Sequence, residues 1–487
     1  MVVSQEKRGQ HGLAVSFPAP GTTRPVTRFC KLLNSTHGVT TTIVDLHPSP
    51  NSSTAPPSPP PQTTAPETSS SSSDVQNKSG SLFRRVSIPL YCRCNTDNIS
   101  LLSLFEAVAS VGPQLEQLIV SMNNEGACVS FIIAGFNMVF PVLDVAERLG
   151  IPCIILYSWA ASSVLFTHYL SQGNHISVRS VMEACSPARD REDVFCRGLP
   201  GLPTLFNKDV PHVNDDTRHL CELAIQSWRA CMAKAHAIAI NTIEDLEESA
   251  CRVFSDSIDV PVYALGFWTE HLPQDVGTSP WKEDETCMTW LEQQPASSVL
   301  YVSFGSTAVL SQTEFEAFFD GVICSEKRFL WVFRPDLVKG IDYSASAMEI
   351  KQKSKGRGVV IEWAPQPAVL AHPSVGGFLT HCGWNSTTEA IANGVPMLCW
   401  PYFSDQLLNA RCIVDEWKVG LDFHSGKKNG HGLQSEEVQR GIQRLMDGDE
   451  GKTLRENVQK LKEKSCRSLQ RDGSSYVKLK ALVESLV

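Results

Sequence analysis

The chain lacks the marks of several large functional classes. Its sixteen cysteines are scattered, none forms a CxxC pair, and the tightest spacing is Cys92-Arg-Cys94. A zinc site or disulfide framework is therefore not expected; buried or free thiols in a reducing compartment are. There is no long basic run, and the formal net charge is −9, which argues against a nucleic-acid partner. No apolar stretch reaches bilayer length. The most apolar run, 127–143, is interrupted by Ser130, Gly135, Asn137 and Pro141, so no membrane span is expected. The polar opening MVVSQEKRGQHG is too short for a signal peptide ahead of the first strand. A cytoplasmic location is the expectation.

What is present is an α/β pattern. Hydrophobic residues make up 42% of 487 positions, enough for two ordinary domains. The opening reads as a buried strand at 13–17, a turn at 18–21, a helix at 25–34 and a β-branched strand at 39–44. Residues 48–80 are dominated by Ser, Thr, Pro, Asn and Gln and are expected to form a disordered insertion. One long helix is expected at 101–122, strands at 128–134 and 151–157, and an aromatic-bearing helix at 159–170. Residues 186–216 read as irregular, 217–236 as a helix and 237–241 as a strand. A Pro-, Gly- and charge-containing linker at 270–285 separates 1–269 from 286–487. Beyond it, strands at 298–304, 329–333 and 358–362 and a helix at 312–325 lead to residue 363. Charged helices at 435–446 and 451–485 end the chain.

The most informative stretch is 363–406, WAPQPAVLAHPSVGGFLTHCGWNSTTEAIANGVPMLCWPYFSDQ. Gly376 to Thr380 are small or apolar, as a strand covered on both faces requires. His381 to Trp384 form a turn. Asn385, Ser386 and Thr387 offer capping side chains to a helix that Asn393-Gly394 ends. A strand running into a helix N-terminus favours a phosphate. His381 adds a donor, Glu389 could take paired hydroxyls, Trp363 and Trp384 offer flat faces, and Asp405-Gln406 suit sugar hydroxyls. These residues describe a nucleotide-sugar site. They equally describe an ordinary βαβ unit with capping residues and core tryptophans.

The stretch resembles, without gaps, the 44-residue signature box of plant secondary-product UDP-glycosyltransferases, family 1. Ser298 to Ser306, SVLYVSFGS, and Phe329 to Pro335, FLWVFRP, resemble the opening of that family's donor domain. The resemblance implies a GT-B fold: two facing Rossmann-like domains with an interdomain cleft, the last helix returning to the N-terminal domain. It implies that Trp363 stacks on uracil, Gln366 lies near the ribose and Glu389 holds the ribose hydroxyls. His381, Asn385, Ser386 and Ser306 bind the phosphates; Trp384, Asp405 and Gln406 contact the sugar. The final glutamine is the form usual among glucose-using members, so UDP-glucose is the implied co-substrate, with a small-molecule acceptor and no metal. An Asp-x-Asp at Asp447-Gly448-Asp449 reads as an acidic turn. Gly451-Lys452-Thr453 lacks the leading glycine and preceding strand of a P-loop.

One part of the family pattern is missing. The family places a general-base histidine after the first strand, in a stretch like FPAxGH, and orients it with an aspartate. Here Phe17-Pro-Ala-Pro-Gly-Thr22 puts Thr22 at the histidine position, and Ala134 aligns with the aspartate. Asp144 reads as part of a helix, and His11, His37 and Asp45 do not obviously reach the site. Three readings follow. The protein is a glucosyltransferase whose acceptor needs no base, such as a carboxylic acid of pKa ~4. It is a transferase acting on phenols such as flavonoids at a reduced rate, through water or another residue. Or it is a pseudoenzyme that binds UDP-sugar without turnover. Phe136, Phe140, Tyr157, Trp159 and Phe166 are candidates for the acceptor pocket or for plain core.

Overall fold

The structure, a computed structural model, describes residues 10–49, 83–91, 101–186, 189–213, 215–268, 283–423 and 432–486. Most of the predicted 48–80 insertion and of the 270–285 linker lies outside these residues. Short apolar runs such as Cys153-Ile-Ile-Leu-Tyr157 are buried along their whole length. That is the pattern of strands covered by helices on both faces.

These runs build two parallel sheets. The first contains β1 (His11–Val15), β2 (Thr40–Ser49), β3 (Phe83–Tyr91), β4 (Phe131–Gly135) and β5 (Cys153–Tyr157). After a two-stranded ribbon of β6 (Val194–Cys196) and β7 (Leu205–Phe206), β8 (Ala237–Ile240) and β9 (Val262–Ala264) complete it. Its order is β3-β2-β1-β4-β5-β8-β9. The second sheet contains β10 (Val299–Ser303), β11 (Arg328–Val332), β12 (Gly358–Ile361), β13 (Val375–Thr380), β14 (Met397–Cys399) and β15 (Gly420–Asp422). Its order is β12-β11-β10-β13-β14-β15. Each sheet reverses direction of growth beside its first strand, where a doubly wound sheet opens a crevice at its strand ends. The final helix, Ser474–Glu484, returns to the first sheet, with Leu479 and Leu482 buried in the core around β1 and β4.

Several predicted boundaries move, for local reasons. The helix expected over 101–122 is two, Leu101–Ala109 and Gly112–Asn124. Pro113 has no N–H to donate to Ala109, four residues earlier, and its ring crowds that carbonyl. The helix expected over 451–485 is also two, Asp449–Leu469 and Ser474–Glu484, broken at Asp472, whose φ is +73°. The first helix starts at Pro20 rather than Pro25 and carries Pro25 inside it. β2 runs to Ser49, into the stretch expected to be disordered, and the irregular segment 186–216 holds the β6–β7 ribbon.

A buried carboxylate knits the first domain. Glu247 lies at a kink in the helix Glu244–Asp256, with φ −128°. It accepts from Ala161 N at 2.8 Å, Ser162 N at 3.0 Å, Ser162 Oγ at 2.9 Å and Thr242 Oγ1 at 2.6 Å. It thereby caps the helix Ala161–Gln172, which has no capping side chain of its own. Glu247→Ala strands several buried donors and is expected to lower unfolding stability by about 2–4 kcal/mol. Urea titration followed by tryptophan fluorescence checks this; an unmoved midpoint contradicts it.

Candidate functional site: a cleft between two sheet ends

Three turns converge where the strand orders reverse. The segment after β1 carries Ala19, Gly21 and Thr22; the turn after β10 carries Gly305 and Ser306; the turn after β13 carries His381 and Gly383. All line one cleft of about 310 Å³. The ten residues expected to bind the donor, Ser306, Trp363, Gln366, His381, Trp384, Asn385, Ser386, Glu389, Asp405 and Gln406, line it together. Two turns of the cleft carry left-handed backbone, Cys382 with φ +63° and Ser404 with φ +58°, conformations uncommon for residues other than glycine. The His381 ring leaves no room for a Cβ on Gly305 or Gly383.

Local wiring differs in places from the expectation. The helix Trp384–Asn393 is N-capped by Gly383, and no side chain caps it. Asn385 and Ser386 lie within the first turn, and their side chains bond elsewhere. Asn385 Nδ2 donates to Gly21 O across the cleft at 2.9 Å. This bond has a cause in the sequence: Pro25 has no N–H, so the carbonyl four residues earlier lacks its helical partner. Gln366 joins three residues, donating from Nε2 to Ser386 Oγ at 2.9 Å and Glu389 Oε2 at 2.8 Å, and accepting from Tyr301 OH at 3.2 Å. Gln406 Oε1 accepts from Tyr402 N at 2.9 Å and Phe403 N at 3.1 Å. Its carbonyl end is thus committed to its own loop. Trp384 is 3% exposed, and its Nε1 donates to Asn241 O at 2.7 Å. It acts as a peg between the domains, with its indole donor already used.

Two arginines that sequence reasoning missed enter from the first helix. Arg24 lies over the Trp363 ring, 5.7 Å from its centroid. Arg28 Nη1 donates to Glu389 Oε1 at 2.8 Å, with both side chains buried. The i, i+4 spacing of two arginines on one helix face was the available signal. Asn137 and Ser158 also line the cleft.

Burial sets the protonation of the floor. It pushes His381 down to about 4, helped by the charge of Arg334 and opposed by the backbone of Ser303. His381 therefore works as a neutral N–H donor near neutral pH. Burial pushes Asp405 up to about 6, offset by hydrogen bonds from Asn409, its own backbone and Ser404.

The predicted base positions carry no base. Thr22 lines the cleft, and its hydroxyl is within donating distance of Phe17 O at 2.6 Å and Ala19 O at 2.9 Å. Ala134 is fully buried in β4, paired with Val15. His11 bonds Thr42, His37 bonds Thr36, Asp45 pairs with Arg85 and Asp144 with Lys234. None of these four lines the cleft. Of the acceptor candidates, Trp159 lines it, Phe136, Tyr157 and Phe166 are core, and Phe140 is exposed. Asp447 pairs with Lys327 and Asp449 with Lys452. Among the described residues no cluster suits a metal ion. A second cavity, about 420 Å³, lies beyond the Tyr402 turn. Among its charges, Lys208 pairs with Glu192 and Arg411 with Asp415.

A family model described as UDP-glucoronosyl and UDP-glucosyl transferase matches residues 214–465. UDP-glycosyltransferase 85A5 of Arabidopsis thaliana is 35% identical over 377 residues, covering 74% of this chain and 74% of that protein. The structure of Phytolacca americana UGT2, complexed with UDP-2fluoro-glucose and pterostilbene, aligns with a TM-score of 0.75 and 26% identity, over 98% of this chain and 100% of that one. A UDP-glucosyltransferase from Polygonum tinctorium, capable of glucosylating indoxyl, aligns with a TM-score of 0.76 and 27% identity, over 99% of each chain. The two facing sheets are thus a GT-B fold. The chain belongs to the UDP-glycosyltransferase family, alongside its plant members, and its general activity is glycosyl transfer from a UDP-sugar.

The Asn385 clasp is testable without substrate. Asn385→Ala is expected to cost about 1 kcal/mol of stability. In a Pro25→Ala background, where a new N–H reaches Gly21 O, the cost should shrink. A double-mutant cycle by urea unfolding measures the coupling; strict additivity refutes the link.

Proposed function

We propose that this protein transfers glucose from UDP-glucose, with inversion, to a small-molecule acceptor bearing a carboxylic acid or phenol. One observation carries the reading: the ten donor candidates, scattered over a hundred positions, line a single cleft. In it, Trp363 takes the base, Glu389 and Gln366 the ribose, and Ser306, His381, Asn385 and Ser386 the diphosphate. Asp405 and Gln406 read the sugar. Residues 286–487 form the donor side and 1–269 the acceptor side, joined by 270–285. Cytosolic residence belongs to the same proposal. None of the described cysteines forms a disulfide, and no helix among those residues is long and apolar enough to cross a membrane.

The acceptor class follows from Thr22. An aliphatic hydroxyl that donates to carbonyls cannot take a proton near neutral pH. A carboxylate arrives already ionised; a phenol of pKa ~10 does not. Losing a general base typically costs roughly 10²–10⁴-fold in rate. The second reading, a UDP-sugar-binding protein without turnover, draws on the same missing base.

UDP release from UDP-glucose, measured with matched panels of carboxylic acids and phenols, separates the readings. Release with the acids, and acceleration of the phenol reaction by Thr22→His, are the expected results. UDP-glucose binding without release on either panel supports the pseudoenzyme. The donor step should also depend on pH. An ionised Asp405 accepts sugar hydroxyls more strongly than a protonated one, which keeps only part of its acceptor capacity, so with its carboxyl near 6, UDP-glucose affinity should fall between pH 7.5 and pH 5, by up to about tenfold. Asp405→Asn should flatten that profile. Calorimetric titration across the range checks both.

A further inference from the structure

The first helix, Pro20–His37, belongs to one domain but ends its arginines in the cleft wall of the other. Arg24 and Arg28 are four residues apart on one face. Two like charges at that spacing repel, so the arrangement is favourable only where anions answer it. Glu283 answers Arg24 at 3.7 Å, and Glu389 answers Arg28. The side chains of the pair are 7% and 4% exposed, and the residues are 361 positions apart in sequence.

Glu389 lies one helical turn beyond Asn385 and Ser386 in the helix Trp384–Asn393. Side chains three and four apart on a helix sit about 5–6 Å from each other. The spacing is visible directly, because Gln366 Nε2 bonds both Ser386 Oγ and Glu389 Oε2. The Arg28 guanidinium is therefore held one turn from the helix N-terminus, where the positive end of the dipole favours a phosphate. A guanidinium has five donors in a planar fork that suits phosphate oxygens, and Nη1 bonds Glu389. A carboxylate has about four acceptor sites, so Glu389 can keep Arg28 while taking ribose hydroxyls. Without Arg28, that carboxylate would stand as an uncompensated buried charge beside an incoming diphosphate.

We propose that Arg28 is a ligand of the donor's diphosphate, supplied by the facing domain and aimed by Glu389. This rests on the donor reading above. It adds a cation from the acceptor side to a phosphate seat otherwise built from neutral donors and a helix end. It also makes nucleotide charge a force that draws the two domains together.

Calorimetric titration with UDP and with uridine, which lacks the diphosphate, tests the assignment at two salt concentrations. Arg28→Gln should weaken UDP binding about 10- to 100-fold, the range for a hydrogen bond to a charged group, and leave uridine binding within about twofold. Arg28→Lys should recover part of the UDP affinity, as a point charge lacking the fork. Because Arg28→Gln alone leaves Glu389 buried and unpaired, R28Q/E389Q is compared with E389Q, and the UDP-specific loss should persist. Equal losses for UDP and uridine would overturn the proposal, leaving Arg28 as a support for Glu389. Tighter binding of both would overturn it too, as an arginine that merely occupies the ribose seat. A wild-type protein that binds neither ligand would defeat the donor reading itself, an outcome distinct from any change confined to the Arg28 variants.

Discussion

A parallel sheet that grows in both directions from its first strand must leave a gap where the growth reverses, because the crossing helices there depart to opposite faces. Both sheets of this protein grow that way, from β1 and from β10. The chain places turns at those two gaps: Phe17–Ala19 leading into the first helix on one side, the turns at Gly305 and Cys382 on the other. Everything chemically notable follows from facing one gap with the other. Cleft residues come from strand ends that the cores hold rigidly, so the site inherits its precision from packing between Leu13, Val15, Ala134 and Ile155 on one side and Tyr301, Phe378 and Met397 on the other.

The two domains are held together by complementary defects. Pro25 deprives Gly21 of a helical partner, and Asn385 supplies one. The indole of Trp384 finds its acceptor on Asn241, at the end of the opposite sheet. Glu389 is buried and charged, and Arg28 answers it. The Trp384 indole and Glu389 would each be a liability in their own domain, since an unmet buried polar group costs about 1–3 kcal/mol, whereas the Gly21–Asn385 bond lies at the exposed rim. Specificity of docking follows: a shifted register between the domains would leave these groups unsatisfied together, whereas apolar contact alone would tolerate sliding.

Much of this was legible in the sequence, and the part that was not has a common character. Short apolar runs marked the strands, because parallel strands are covered on both faces. The box 363–406 marked the donor half, because its turn, helix and final Asp-Gln lie within one contiguous segment. Failures occurred where the partner is remote or where a local breaker competes with periodicity. Pro113 and Asp472 divide helices whose apolar pattern runs through them. Asn385 reads locally as a capping residue, yet its partner is 364 positions away. Trp384 reads as a flat face for a ligand, but only the folded chain reveals Asn241 as its acceptor. Arg28 carries no local signal beyond its spacing from Arg24.

Thr22 stands where the family pattern would place a histidine, and charged groups lie near it. Thr22 closes the first turn through its hydroxyl, so the position has become structural. Two arginines stand a helical turn further along the same helix, and His381 is held neutral by burial and by Arg334. Thr22 and Ala134 offer this cleft no proton acceptor, and its two arginines are each paired with a carboxylate, Arg24 with Glu283 and Arg28 with Glu389, so an incoming acceptor meets only the residual field of two ion pairs. Positive charge favours the ionised form of any nearby acid, so it assists acceptors that ionise by themselves and does little for an alcohol. Charge developing on a departing diphosphate would meet the N-terminus of the helix Trp384–Asn393 and the neutral His381, and preorganised dipoles of this kind usually lower a barrier more than proton transfer does. On the reading proposed above, a threonine at position 22 would restrict the acceptor side, while the ten donor candidates still line one cleft.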